Sequence, residues 1–211
     1  MSEQIVAIVA NGEVVQASIA RPVLQSARII IAADGGALTC KEAGVAPHYI
    51  IGDGDSLTGE LREYFSGAEL VKRSDQYSTD LEKAIAFART LSPTAIVVLS
   101  ALGKRSDHSA ANLLFLAELN QTIPVKIYDN HGMMTILNPG RHDLAMERGR
   151  LVSFFSYGQV NHLTLAGFRY PLSRESYPNY FVGISNVCES NRVEVQFDSG
   201  ILFMYEVLIE S

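Results

Sequence analysis

Five short runs in this sequence are apolar almost from end to end: Ile5–Ala10, Arg28–Ala33, Tyr49–Gly52, Ala95–Ala101 and Val125–Tyr128. A strand with one face in water alternates apolar and polar side chains. Runs that do not alternate belong to strands covered on both faces, as in a parallel sheet between layers of helices. A weaker run at Glu69–Lys72 reads as a sixth strand. Between the runs lie helical patterns. In Thr79–Thr90, Leu81, Ala84, Ile85 and Ala88 fall at i, i+3, i+4 and i+7, and Thr79 with Glu82 forms a capping box. In Asp107–Leu119, Ala110, Leu113, Leu114 and Ala117 repeat that spacing, with Ser106 expected as the N-cap. Strand–helix alternation of this kind predicts an open, mostly parallel α/β sheet with helices on both faces. Its ligands are expected at the carboxyl ends of strands.

The texture changes after Asn138-Pro139-Gly140. Leu151–Tyr157, Leu163–Ala166, Arg192–Phe197 and Leu202–Ile209 read as strands, separated by Gly, Pro, Ser and Asn. The expectation is an α/β domain over residues 1–140 and an all-β sandwich over residues 143–211. About seventy residues make a marginal independent core, so the second domain is expected to pack on the first or on another subunit.

Composition serves mainly to exclude. A net charge of −6, with no Lys/Arg run, provides no attraction for nucleic acid. No apolar run approaches the roughly 18 residues needed to cross a bilayer. The amino-terminal residues show no secretory signal, and Cys40 and Cys188 are too far apart in sequence for a metal-spaced pair. The reading is a cytoplasmic protein with free thiols, with neither nucleic acid nor membrane as partner.

Four segments at strand ends carry chemistry. Asp53 and Asp55, in Gly52-Asp-Gly-Asp-Ser56, project to one side in extended geometry. Two carboxylates about 4 Å apart repel by roughly 4 kcal/mol at an effective dielectric of about 20, a penalty that a divalent cation removes. All-oxygen ligands favour Mg²⁺ over zinc. An acidic loop capping the next helix explains the same residues. Asp75, Gln76, Thr79, Asp80 and Lys83 surround a predicted helix N-terminus, which with a lysine can cradle a metal-bound phosphate. Asp80 also fits plain helix-dipole compensation. Arg105, Asp107 and His108 join a strand to a helix, and a guanidinium there can grip phosphate oxygens in a fork. Asp34-Gly35-Gly36-Ala37 is a further strand-to-helix turn, open to a ligand or simply tight. No P-loop and no G-x-G-x-x-G occurs.

The ordered set Asp34-Gly35-Gly36-Ala37, Gly52-Asp53-Gly54-Asp55-Ser56, Asp75-x-x-x-Thr79-Asp80-x-x-Lys83 and Gly103-x-Arg105-x-Asp107-His108-x-x-x-Asn112 resembles the thiamine pyrophosphokinases. Gly167–Leu172 and Gly183-Ile-Ser185-Asn186 resemble that family's thiamine-binding domain. The resemblance implies an ATP-binding α/β domain, a thiamine-binding β-sandwich and a homodimer with active sites between subunits. It implies Mg²⁺ on Asp53, Asp55 and Asp80. Asp34, Gly35, Gly36, Arg105, Asp107 and His108 then fall near the nucleotide, and Gln76, Thr79 and Lys83 near its phosphates. Ser185 and Asn186 fall at the thiamine, with Asp75 or Asp80 near its hydroxyl. The implied reaction moves the diphosphate of ATP to thiamine and releases AMP.

The chain departs from the family pattern in having no Trp, where the family often stacks one on the aminopyrimidine. Phe203 occupies that place and is either a stacking residue or an ordinary core phenylalanine. Two other readings are a diphosphokinase for another hydroxymethyl heterocycle, such as a pterin, and a non-catalytic nucleotide sensor.

Overall fold

The computed structural model describes residues 4–52, 59–73, 75 and 77–208. The chain divides into two compact units, Met1–Asn130 and His131–Ser211. The change of texture at Asn138–Gly140 therefore falls inside the second unit.

The first unit runs β1 (Ile5–Val9), α1 (Ala17–Ser26), β2 (Ile29–Ala33), a 3-10 turn (Asp34–Gly36), α2 (Ala37–Ala43), β3 (Tyr49–Gly52), α3 (Gly59–Tyr64), β4 (Glu69–Lys72), α4 (Asp80–Thr90), β5 (Ala95–Leu99), α5 (Ser106–Asn120) and β6 (Val125–Tyr128). Its strands lie in the order β6-β5-β1-β2-β3-β4, all parallel. Both faces are covered. Ala7, Val9, Ile30, Ala32, Ile50, Val97 and Leu99 pack with Ile19 and Leu24 of α1, Cys40 of α2 and Leu61 of α3. The alternate residues Val6, Ile8, Ile31, Ile51, Ile96 and Val98 are also buried, and α4 packs across β1, β2 and β3. This two-sided burial is why the runs do not alternate.

The Thr79 capping box is present. The Glu82 N–H donates to Thr79 Oγ1 at 3.2 Å and the Thr79 N–H to Glu82 Oε2 at 2.7 Å. Helix α5 departs from expectation at its start. It begins at Ser106 itself, with Arg105 in the cap position and no side-chain cap. Among the described residues no helix is long and apolar enough to cross a membrane.

The second unit is antiparallel throughout: β7 (Gly132–Leu137), β8 (Gly140–Ala145), β9 (Leu151–Ser156), β10 (Val160–Ala166), β11 (Leu172–Tyr177), β12 (Val182–Val187), β13 (Arg192–Phe197) and β14 (Leu202–Val207). Strands in the order β12-β9-β14-β7 face strands in the order β11-β10-β13-β8. Between the two layers lie Leu137, Val152, Phe154, Leu202 and Met204 from one and Leu163, Leu165, Val193, Val195 and Phe197 from the other. This is a sandwich core. Cys40 and Cys188 are buried free thiols; burial pushes the Cys40 thiol up to about 12 and raises that of Cys188 as well, so neither is poised as a nucleophile.

Candidate functional site

From β1 the chain steps outward to β2, β3 and β4, then returns to lay β5 on the other side of β1. Where the order reverses, the loops leaving β1 and β5 open a crevice at their carboxyl ends, the usual ligand position in such sheets. Backbone bonds join the two loops: Ala10 N–H to Leu99 O at 2.8 Å, Gly12 N–H to Ser100 O at 2.6 Å and Glu13 N–H to Leu102 O at 2.8 Å. A cavity of about 770 Å³ opens here, lined from four directions. Asn11 and Gly12 follow β1. Arg73, Asp75 and Ser78 follow β4. Thr79, Asp80 and Lys83 open α4. Lys104, Arg105, His108 and Asn112 enter α5.

Local chemistry fixes each of these groups. Asp75 folds back on its own loop, accepting from the Tyr77 N–H at 2.9 Å and from the Ser78 hydroxyl. Those bonds, that of Ser78 foremost, hold its carboxyl below the usual range. Asp80, in the first turn of α4, accepts from Lys83 Nζ at 3.1 Å, and the Lys83 side chain is only 10% exposed. Arg105 grips Asp107 with a fork, Nε to Oδ1 at 3.1 Å and Nη2 to Oδ2 at 2.6 Å. The guanidinium bond is the main reason that the Asp107 carboxyl falls to about 2, so it is ionised at any physiological pH. Asn112 Nδ2 donates to Ala101 O at 2.7 Å and ties α5 to the end of β5. Lys104, with φ +55°, reaches across the crevice to Asn11, its Nζ 3.1 Å from the backbone oxygen and 3.2 Å from Oδ1.

The residues expected from sequence separate into groups. Asp75, Thr79, Asp80, Lys83, Arg105 and His108 line this one cavity. Asp53, Asp55 and Gln76 lie outside the described residues. Asp34, Gly35, Gly36 and Asp107 do not appear in the described lining. Asp34 is a buried carboxylate, 4% exposed, that lies against Gly52 at the end of β3. A Cβ at Gly36 would sit 2.0 Å from Val9 O, and one at Gly35 would sit 2.4 Å from Asn11 Oδ1. These glycines let the turn after β2 press against the end of β1, which sets where Asn11 stands. Sequence reading did not single out Arg73 or Lys104. A lone cation in a loop looks like ordinary surface, and only the strand order carries these two to the cavity.

No cluster of three or more His, Cys, Asp or Glu stands together among the described residues. Asp80 and Asp75 are the acidic groups of the described lining. An oxygen-only donor set of that kind suits a hard cation such as Mg²⁺.

In the second unit Asn186 is buried and spent on the backbone. Its Nδ2 donates to Tyr170 O at 2.9 Å, and its Oδ1 accepts from the Tyr170 N–H at 3.0 Å. Further bonds, Arg169 N–H to Val187 O and Glu189 N–H to Gly167 O, zip the segment 167–170 to the end of β12. The two carboxy-terminal motifs seen in sequence therefore form one structure. Ser185 is exposed at a β-bulge with φ +57°, its N–H donating to Ser153 Oγ at 3.0 Å. Phe203 is 2% exposed, and its ring stacks on Phe155 with centroids 4.8 Å apart and planes 6° apart. Sequence left Phe203 either a stacking or a core role, and Phe203→Ala and Phe203→Trp separate the two.

Comparison with known proteins places these features in context. The family model described as "Thiamin pyrophosphokinase, catalytic domain" matches residues 20–127. The one described as "Thiamin pyrophosphokinase, vitamin B1 binding domain" matches residues 141–202. A thiamine pyrophosphokinase of Bacillus subtilis is 31% identical over 186 residues, 82% of this chain and 85% of the relative. Thiamine pyrophosphokinase 1 of Oryza sativa is 30% identical over 171 residues, 74% of this chain and 65% of the relative. The crystal structure of thiamine pyrophosphokinase from Bacillus subtilis superposes with a TM-score of 0.84 at 27% identity, covering 98% of this chain and 100% of that one. That of thiamin pyrophosphokinase from Geobacillus thermodenitrificans gives 0.81 at 24% identity over 98% and 99%, a likeness of fold.

Proposed function

The chain belongs to the thiamine pyrophosphokinase family, and on that premise we propose that it transfers the terminal diphosphate of ATP to the hydroxyl of thiamine. It is an enzyme of thiamine diphosphate synthesis, with ATP as co-substrate. The observation that supports the finer reading is the convergence of Thr79, Asp80, Lys83, Arg105 and His108 on one cavity at the reversal of strand order.

In this reading the thiamine hydroxyl oxygen attacks the β-phosphorus in line. The bond from the β-phosphorus to the bridging α,β-oxygen breaks, and AMP leaves with that oxygen. The chemistry needs positioning and charge neutralisation more than covalent help. Asp80, together with Asp53 and Asp55, would hold Mg²⁺, which when bound would supply positive charge against the polyphosphate. Arg105 and Lys83 meet the charge on the leaving AMP and the transferred diphosphate. Gln76 and Thr79 are assigned to the phosphates, and Asp34, Gly35, Gly36, Asp107 and His108 to the nucleotide side. The hydroxyl proton passes late to a cavity carboxylate. Asp75 and Asp80 are the two candidates: both oxygens of Asp75 accept hydrogen bonds from its own loop, and Asp80 Oδ1 accepts from Lys83.

Thiamine is assigned to the β-sandwich beside Ser185, with Asn186 holding the neighbouring segment in place. A homodimer with active sites between subunits fits the exposed apolar residues of edge strand β12, where Val182 is 57% and Ile184 61% exposed. The enzyme is read as cytoplasmic, acting on free thiamine and ATP with no nucleic acid or membrane partner.

A direct assay tests the reading. Incubation with ATP, Mg²⁺ and thiamine is expected to give AMP and thiamine diphosphate in equal amounts, and a hydroxymethyl pterin offered instead is expected to give no AMP. Diphosphorylation of the pterin with thiamine untouched would transfer the chain to the rival substrate.

A further inference from the structure

Among the described residues, the Lys and Arg side chains that line the cavity are Arg73, Lys83, Lys104 and Arg105. The two that sequence motifs pick out are already matched by carboxylates. Lys83 is paired with Asp80 at 3.1 Å, and Arg105 holds Asp107 with both arms of its guanidinium. An incoming polyphosphate has to share or displace a carboxylate at each of them. Lys104 differs. Neither Arg73 nor Lys104 has an ion pair among the described residues, but Lys104 Nζ alone of the two bridges the loops, meeting two neutral oxygens of Asn11 at 3.1 and 3.2 Å. An ammonium has three donors, so the site keeps an uncompensated positive charge. That charge spans the crevice between the loops after β1 and β5, where the strand order reverses.

The backbone points the same way. Lys104 sits at φ +55°, directly after Gly103 at φ +79°. Glycine occupies that conformation without the clash that a Cβ brings. The loop does not need the lysine to hold it. Glu13 N–H bonds Leu102 O, Ser109 Oγ reaches Gly103 O and Arg105 O, and Asn112 holds Ala101 O. A strained lysine that adds little to loop anchoring, aimed into a cavity, marks a ligand contact.

We infer that Lys104 is a polyphosphate-positioning residue, exchanging the Asn11 oxygens for phosphate oxygens of a nucleoside triphosphate. The inference rests on the reading of this cavity as the ATP site. It assigns Lys104 to the diphosphate that is transferred, not to the nucleoside.

Calorimetric binding of ATP and of AMP to the full chain, with melting temperatures, tests it on Lys104→Gly and Lys104→Arg. Loss of one charge-assisted contact is expected to weaken ATP binding about five- to tenfold in Lys104→Gly while AMP binding is unchanged. The melting temperature of that variant is expected to stay within about 2 °C of the parent, because relief of the left-handed strain offsets the greater freedom of the unfolded chain. Lys104→Arg, which keeps the charge, is expected to retain ATP affinity within about twofold. Unchanged ATP affinity in Lys104→Gly, equal losses for ATP and AMP, or no ATP binding by the parent chain would each overturn the inference. A parent chain that binds ATP but makes no thiamine diphosphate defeats the functional reading alone, and the Lys104 comparison still decides this one.

Discussion

Asp80→Asn is expected to lower turnover by about a hundredfold or more while leaving the fold intact. The change is nearly isosteric, and Asn is tolerated in the first turn of a helix that Thr79 and Glu82 already cap. What it removes is charge. A carboxylate that helps hold a cation against a polyphosphate acts mainly in the transition state, where losses of about 3 kcal/mol are common. It also strips the partner from Lys83, whose side chain is largely buried. Asp53→Asn and Asp55→Asn are expected to give losses of similar size, since the same cation is assigned to all three. The kcat of each variant at saturating Mg²⁺, with circular dichroism as the control for folding, checks this. Near-parental turnover in all three would remove the carboxylates from the mechanism.

Phe203→Ala is expected to cost about 3–5 kcal/mol of stability, the usual loss for a buried phenylalanine. The ring lies in register with Ile136 on one side and Phe155 on the other, and it stacks flat on the latter. Truncation leaves a cavity beside the Phe155 ring, on a sheet face whose fixed strand register leaves little room for collapse. For a chain of this size the melting temperature falls by roughly 10 °C. The thiamine KM of the fraction that remains folded stays near the parental value. Phe203→Trp is expected to destabilise as well, by about 1–3 kcal/mol, because the larger ring overpacks the site. A raised thiamine KM with an unchanged melting temperature would restore the stacking role.

Where burial was two-sided, the sequence spoke clearly. β1, β2, β3, β5 and β6 show themselves as apolar runs because helices cover both faces, and α4 shows both its period and its cap. The elements that sequence reading passed over carry weaker signals for physical reasons. α1 contains Pro22, a residue that usually breaks a helix, and α2 and α3 are too short to establish a period. β8 and β11 are mostly exposed, so polar residues such as Arg141, Asp143, Arg174 and Glu175 hide them. β12 reads as Gly, Ser and Asn in a loop, yet it pairs with β9 across a bulge at Ser185.

The candidate site was legible in part. Residues that act from consecutive motifs, such as Thr79, Asp80 and Lys83, share one helix turn and could be grouped by spacing. Arg73, Lys104 and Asn11 come together only because β5 returns to the far side of β1, and no local spacing encodes that return. The Asn186–Tyr170 clamp joins residues 16 positions apart, one in the irregular segment between β10 and β11 and the other in β12. Sequence flagged both motifs, but the bond between them appears only in three dimensions.

The central claim is that a diphosphate moves as a unit from ATP to thiamine, and the fate of the γ-phosphate tests it most directly. With ATP labelled at the γ-phosphorus, the label is expected in thiamine diphosphate, with unlabelled AMP released in equal amount. Labelled thiamine monophosphate with ADP, or labelled inorganic phosphate with unlabelled thiamine, would contradict it.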